Sequence, residues 1–276
     1  MDTFSTQWLD FSGRVAVVTG GTGVLLRPTV NALGRLGARI ALIDLTLERA
    51  QAAADELSST GCEAVGFQAD MTDPAAVHLA ARQVLEHYGQ VDILINGAGG
   101  NRPQATISAE MTFFDLPDEA VRQVFDLNLM SAVYACQAFG RAMAGRGRGT
   151  VLNVASMASL RPLTKVVSYG AAKAALANFT QWLAVYMAQN YGEHLRVNAI
   201  APGFFLTDQN RYLLTDVQSG DLTARGQAVL AHTPMGRFGA PEDVIGPAIW
   251  LLSPASAFVT GVVLPIDGGF SVYAGV

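Results

Sequence analysis

Arg14-Val15-Ala16-Val17-Val18-Thr19-Gly20-Gly21-Thr22-Gly23-Val24-Leu25-Leu26-Arg27-Pro28 is the stretch that decides the fold. The run Arg14–Thr19, rich in β-branched residues, reads as a strand, and the residues after the glycines read as a helix reaching about Leu36. Pro28 fits the first helical turn, where its missing N–H costs nothing. A strand, a glycine turn and a helix place backbone N–H groups and the positive helix end against a pyrophosphate. Gly20, Gly21, Thr22, Gly23, Val24 and Leu25 are the expected contacts. A glycine cluster alone is equally an ordinary turn, so the following segments must decide.

They repeat the pattern. A second strand, Arg39–Ile43, runs into Asp44, about the distance at which an acidic residue receives an adenosine ribose. A carboxylate there accepts hydrogen bonds from a free 2′-hydroxyl and repels a 2′-phosphate, which favours NAD over NADP. Asp44 could also cap a helix over Leu45–Leu57. Ala64–Gln68 leads to Asp70 and Met71, and Val91–Ile95 leads to Asn96-Gly97-Ala98-Gly99-Gly100. The small residues let the chain pass close to a flat ligand. Asp70 either holds an adenine amino group or caps the helix that begins near Pro74.

Tyr169 and Lys173 stand four residues apart in the helical stretch Val166–Val185, so both side chains project from one face. A lysine charge beside a phenol favours the phenolate and lowers the tyrosine pKa towards the working pH. Ser156 follows the apolar run Thr150–Ala155, which reads as a buried strand, so its hydroxyl emerges at a strand end. Together the three residues supply a proton-transfer site.

From Gly13 to Gly269 the chain resembles the compact, single-domain short-chain dehydrogenase/reductases. The resemblance implies an active-site tetrad of Asn128, Ser156, Tyr169 and Lys173, with Asn128 holding a water that links Lys173 to solvent. It also implies that Lys173 holds the nicotinamide ribose, that Asp70 is the adenine-side acid, and that Asn96-Gly97-Ala98-Gly99 is the cofactor turn. Pro202-Gly203, Phe205 and Thr207 resemble the stretch beside the nicotinamide carboxamide. One residue departs from the pattern: Leu26 stands where a glycine is usual, which predicts a displaced helix start or weaker cofactor binding.

Three loops border the expected substrate side: Asn101-Arg102-Pro103, Met157 to Lys165 with Arg161, and Phe204 to Arg211 with Gln209 and Asn210. Each brings cations or amides, groups that suit a hydroxylated carboxylate. Lys165 and Arg161 are preferred as the carboxylate partner, because both lie between Ser156 and Tyr169, with Arg102 and Arg211 as second choices. For any one of these cations taken singly, a solvated loop charge is the better reading. Residues 96–103, 161–165, 202–211 and 232–239 resemble the branch assigned as D-mannonate oxidoreductases, which implies interconversion of D-mannonate and D-fructuronate, or of a related sugar acid. The rival readings are a 3-ketoacyl thioester reductase and a non-catalytic dinucleotide sensor.

Strand-like and helix-like segments alternate through all 276 residues with no linker and no repeat. The expected fold is therefore α/β: one doubly wound, Rossmann-type parallel sheet with helices on both faces. Residues 1–276 form a single catalytic domain, with 1–12 as an N-terminal extension and 204–238 as the substrate loop region. A net charge of −5 without a basic patch argues against nucleic acid. No apolar stretch reaches the roughly 20 residues of a membrane span, and the first residues do not read as a secretory signal. Cys62 and Cys136 suggest reduced, buried thiols, and the four histidines lack metal-ligand spacing. A cytoplasmic enzyme without a metal is expected. The tail after Val262–Ile266 is apolar, and the family resemblance implies a homotetramer with long helices paired at one interface.

Overall fold

Val15 and Val17 point to one face of the sheet, Ala16 and Val18 to the other, and this alternation organises the molecule. The computed structural model describes residues 6–206, 211–216 and 219–275. In chain order the elements are β1 (Val15–Thr19), α1 (Arg27–Arg35), β2 (Arg39–Asp44), α2 (Leu47–Ser58), β3 (Ala64–Gln68) and α3 (Pro74–Tyr88). Then follow β4 (Ile93–Asn96), α4 (Asp118–Phe125), a π-helical segment (Asp126–Met130), α5 (Ser131–Arg146) and β5 (Gly149–Val154). The rest comprises α6 (Val167–Tyr191), β6 (Leu195–Pro202), α7 (Arg211–Leu214), α8 (Ala224–Ala231), α9 (Ile245–Leu252) and β7 (Val263–Ile266).

The seven strands form one sheet in the order β3-β2-β1-β4-β5-β6-β7, and all the pairings are parallel. A parallel sheet must be covered on both faces. On one face Val77, Ala80 and Val84 of α3, Phe139 and Met143 of α5, and Leu183 and Met187 of α6 pack on Val15, Val17, Leu94 and Val151. On the other, Val30 and Leu33 of α1 and Ile249, Leu251 and Leu252 of α9 cover Ala16, Val18, Ile95 and Leu152. Each fully buried Val, Leu or Ile contributes about 1.5–3 kcal/mol.

The chain moves outward from β1 through β2 to β3, then returns so that β4 pairs with the other side of β1. Between β1 and β4 the strand order reverses, and Thr19 lies beside Asn96 at their carboxyl ends. That switch point is where open α/β sheets hold ligands. Among the described residues no helix is long and apolar enough to cross a membrane.

The C-terminal segment turns back on its own subunit. Phe270 packs against Phe204 with ring centroids 5.1 Å apart and against His232 at 5.4 Å, while Val272 is exposed.

Candidate active site

The carboxyl ends of β1, β2, β4, β5 and β6 surround a cleft of about 550 Å³. Gly20, Thr22, Gly23, Val24 and Leu25 line its β1 side. Gly21 lies behind this wall, against Val18 and Leu42. The turn winds through a hydrogen bond from Gly23 N to Gly20 O (3.1 Å), and α1 begins only at Arg27, with Leu26 as its N-cap. Leu26 is buried, and the space for it comes from the facing turn: a Cβ on Gly97 would overlap Leu26 Cδ1 and lie 2.7 Å from the Thr19 carbonyl. The helix thus starts after the leucine, and Gly97 supplies the close approach.

Asp44 ends β2 and is 7% exposed. It does not cap α2; Thr46 does, accepting from Arg49 N at 3.4 Å. Asp44 instead accepts hydrogen bonds from the Thr22 hydroxyl and from Leu45 N (2.8 Å). Arg49, a residue the sequence reading passed over, reaches the same cluster: its Nε lies 3.7 Å from Asp44 Oδ1, and it donates to Thr22 Oγ1 at 3.3 Å. Its signal was available, since a basic residue at the third position of α2 lies beside the end of β2. Asp70 and Met71 also line the cleft. Asp70 accepts from Thr72 N and Oγ1 at 2.8 and 2.7 Å, and the cap of α3 is Asp73, not Asp70.

Gly97, Ala98, Gly99 and Gly100 form the floor after β4. Asn96, expected among the contacts, is turned away into the core, where its amide donates to Asn153 Oδ1 at 2.8 Å and contacts Cys136 Sγ at 3.3 Å. Asn153 in turn donates to Thr180 of α6 at 2.8 Å, so a buried polar chain ties β4 and β5 to the helix carrying the tyrosine. Asn128 lies in the π-helical segment, fully buried. Its Nδ2 donates to Gly100 O (2.7 Å) and Val124 O (2.8 Å), and its Oδ1 accepts from Gly100 N (3.0 Å). Both N–H groups are therefore used, and the residue clamps the glycine loop. A Cβ on Gly99 would come within 3.0 Å of both Asn128 Oδ1 and Lys173 Nζ, so glycine lets the backbone close over this pair.

Ser156, Tyr169 and Lys173 line the same cleft. The Ser156 hydroxyl accepts from Ala158 N at 3.1 Å and lies near enough to the Tyr169 phenol to favour its ionised form. Lys173 is buried and donates to the Val154 carbonyl at 2.6 Å, with Nζ 5.8 Å from the centroid of the Tyr169 ring. The expected electrostatics differ. Burial pushes the lysine down to about 7, and burial raises the Tyr169 phenol above its usual value while the Ser156 hydroxyl opposes the rise.

Pro202, Gly203 and Phe205 complete the wall after β6. Thr207, Gln209 and Asn210 lie outside the described residues. Of the substrate-side candidates, Arg102 lines the cleft. Asn101 instead donates its amide to Thr106 Oγ1 at 2.8 Å, and Met157 is buried beneath the site. The two preferred cations are placed elsewhere: Arg161 Nε donates to the Ser271 carbonyl at 2.9 Å, and Lys165 is exposed, its carbonyl accepting from Ile107 N. Arg211 opens α7 and is also exposed. Among the described residues no group of His, Cys, Asp and Glu could hold a metal.

A family model described as enoyl-(acyl carrier protein) reductase matches residues 27–271. The uncharacterized oxidoreductase UxuB of Bacillus subtilis is 42% identical over 276 residues, covering 97% of this chain and 98% of the relative. The 5-keto-D-gluconate 5-reductase of Escherichia coli is 32% identical over 264 residues, covering 95% and 96%. A solved structure of a candidate D-mannonate oxidoreductase from Haemophilus influenza, with bound NAD, superposes with a TM-score of 0.91 at 40% identity, covering 97% of this chain and 98% of that one. At these identities and coverages the chain belongs to the short-chain dehydrogenase/reductase family and is an oxidoreductase.

Proposed function

We propose that this oxidoreductase uses NAD and interconverts a secondary alcohol and a ketone on a sugar acid, with D-mannonate and D-fructuronate as the pair. The observation that carries the reading is one cleft, lined at one end by Asp44 and the β1 turn and at the other by Ser156, Tyr169 and Lys173. The residues fit a dinucleotide: the buried Asp44 carboxylate favours a free 2′-hydroxyl, and the cleft floor of Gly97, Ala98, Gly99 and Gly100 carries no side chain larger than a methyl. When bound, the nicotinamide supplies the hydride acceptor or donor.

The chain's own residues handle the proton. In reduction the Tyr169 phenol gives its proton to the ketone oxygen; in oxidation the phenolate, which burial disfavours and the Ser156 hydroxyl favours, takes the hydroxyl proton. Ser156 holds that oxygen and stabilises its developing charge. Lys173, held against Val154 O, would hold the nicotinamide ribose, and Asn128 keeps the Gly100 loop in place. The sugar-acid reading is supported by the likeness to the NAD-bound Haemophilus influenza protein and by a cation at the cleft. The test is turnover with NAD and NADP on a panel of sugar acids, neutral polyols and 3-ketoacyl thioesters. Preferred turnover of the thioesters, or the absence of turnover throughout, would reject it.

The quaternary reading is a homotetramer, supported by the exposed Trp182, Val185 and Tyr186 on α6, where the Trp182 and Tyr186 rings stack at 5.1 Å. Light scattering showing monomer alone at micromolar concentration would end it.

A further inference from the structure

Resting on the sugar-acid reading, we propose that Arg102 is the residue that recognises the substrate carboxylate. Arg102 lines the cleft shared by Ser156 and Tyr169, and its guanidinium makes no hydrogen bond or ion pair with any described residue. Its backbone, by contrast, is tightly tied. The Arg102 carbonyl accepts from Ala105 N at 3.0 Å and from Thr106 Oγ1 at 2.9 Å, and Asn101 donates to the same Thr106 hydroxyl. Pro103 fixes the next backbone angle.

Both ends of this short loop are anchored to the proton-transfer machinery. On one side Asn128 pairs with both polar groups of Gly100. On the other, Ala105 is buried with Ala120 and Val124 in a small cluster against which Tyr169 packs. The anchor point of the guanidinium is thus held in a set relation to the phenol, which is what a charged group must have to orient a substrate. A guanidinium offers two parallel N–H groups to a carboxylate, so it would fix the acid end and thereby choose which hydroxyl reaches Tyr169.

Three other cations around the site have partners of their own. Lys173 donates to the Val154 carbonyl, Arg49 stands beside Asp44, and Arg161 is held by the Ser271 carbonyl.

The experiment compares wild type, Arg102→Gln and Arg102→Lys. It measures steady-state kinetics with D-mannonate, calorimetric binding of D-mannonate to the enzyme–NADH complex, and the Kd for NADH. Arg102→Gln should raise KM and Kd for D-mannonate about 100-fold, the worth of a charged hydrogen-bonded pair, with NADH affinity unchanged. Arg102→Lys should restore part of the loss. Four results would overturn the assignment: an unchanged KM, a loss confined to kcat, no recovery with lysine, or a weakened NADH affinity that puts the guanidinium on the cofactor. If wild type neither binds nor turns over D-mannonate or any other sugar acid, the sugar-acid reading itself falls; if wild type binds and Arg102→Gln binds equally, Arg102 alone is refuted.

Discussion

The two ends of the cleft are built differently. At the end proposed for the adenosine, Asp44 is the last residue of a central strand, buried, and hydrogen-bonded to Thr22 and the Leu45 amide. Every backbone segment there leaves a strand whose register is set by its neighbours. At the substrate end the candidates sit on loops, and most are exposed. Arg161 has been drawn off to the C-terminal segment, and Lys165 lies apart from the cleft lining. Sheet geometry dictates where a strand end goes, whereas a long cation on a loop goes wherever its nearest acceptor is. The adenosine end is therefore preorganised by the fold, and the substrate end by a few local ties, such as those that hold Gly100 and Ala105.

Removing the phenol should have the largest effect. Tyr169→Phe should lower kcat by about 10²- to 10⁴-fold, while NADH binding, followed by fluorescence titration, stays within twofold. Retained turnover would detach the proton-transfer site from the rest of the comparison.

The second test asks whether packing rigidifies the adenosine end. Leu26→Ala opens a cavity over Gly97 and should lower unfolding stability by about 2–5 kcal/mol in a denaturant titration. Tighter NAD binding without loss of stability would instead mean that the leucine obstructs the cofactor.

A smaller effect is expected at Asp44. Asp44→Ala should reduce the preference for NAD over NADP by roughly tenfold, as repulsion of the 2′-phosphate is relieved and a charged hydrogen bond to the ribose is lost. A wild-type preference for NADPH would reverse the reading of that end.

The fourth test is a pH dependence. Lys173 in the folded protein is pushed down to about 7 from its usual 10.5. Between those values the unfolded chain holds a proton that the native chain lacks, so for this group stability of the unliganded enzyme rises with pH across that window. Below about 7 the site must bury an ammonium. Lys173→Met should therefore raise the Tm at pH 6 relative to wild type, and the advantage should shrink or reverse towards pH 10, where the Val154 carbonyl has lost its donor. Parallel Tm curves would show that burial of the lysine carries no such cost.

Much of this site was legible because it depends on short-range periodicity. The strand ends that carry Asp44, Gly97 and Ser156, and the helical spacing of Tyr169 and Lys173, follow from alternation and from one helical turn. Other features depend on three-dimensional contacts. Asn96 and Ala98 are two residues apart, yet one points into the core at Asn153 and the other lines the cleft. For Asn128, nothing in residues 118–146 announces the π-helical turn or the Gly100 loop it clamps. Thr46 and Asp73 cap α2 and α3, which closes the alternative role left open for Asp44 and Asp70.

By itself the sequence determined the α/β class, the parallel sheet, the glycine turn and the Ser156, Tyr169 and Lys173 set, since each is written in local hydrophobic pattern and residue spacing. Only the tertiary structure decided that Leu26 fits by using the space over Gly97, that burial governs the protonation of Tyr169 and Lys173, and that Arg102 lines the cleft where Arg161 and Lys165 do not. Steric fit, desolvation and the choice among competing hydrogen-bond acceptors are properties of neighbours brought together from distant parts of the chain, and no local window contains them.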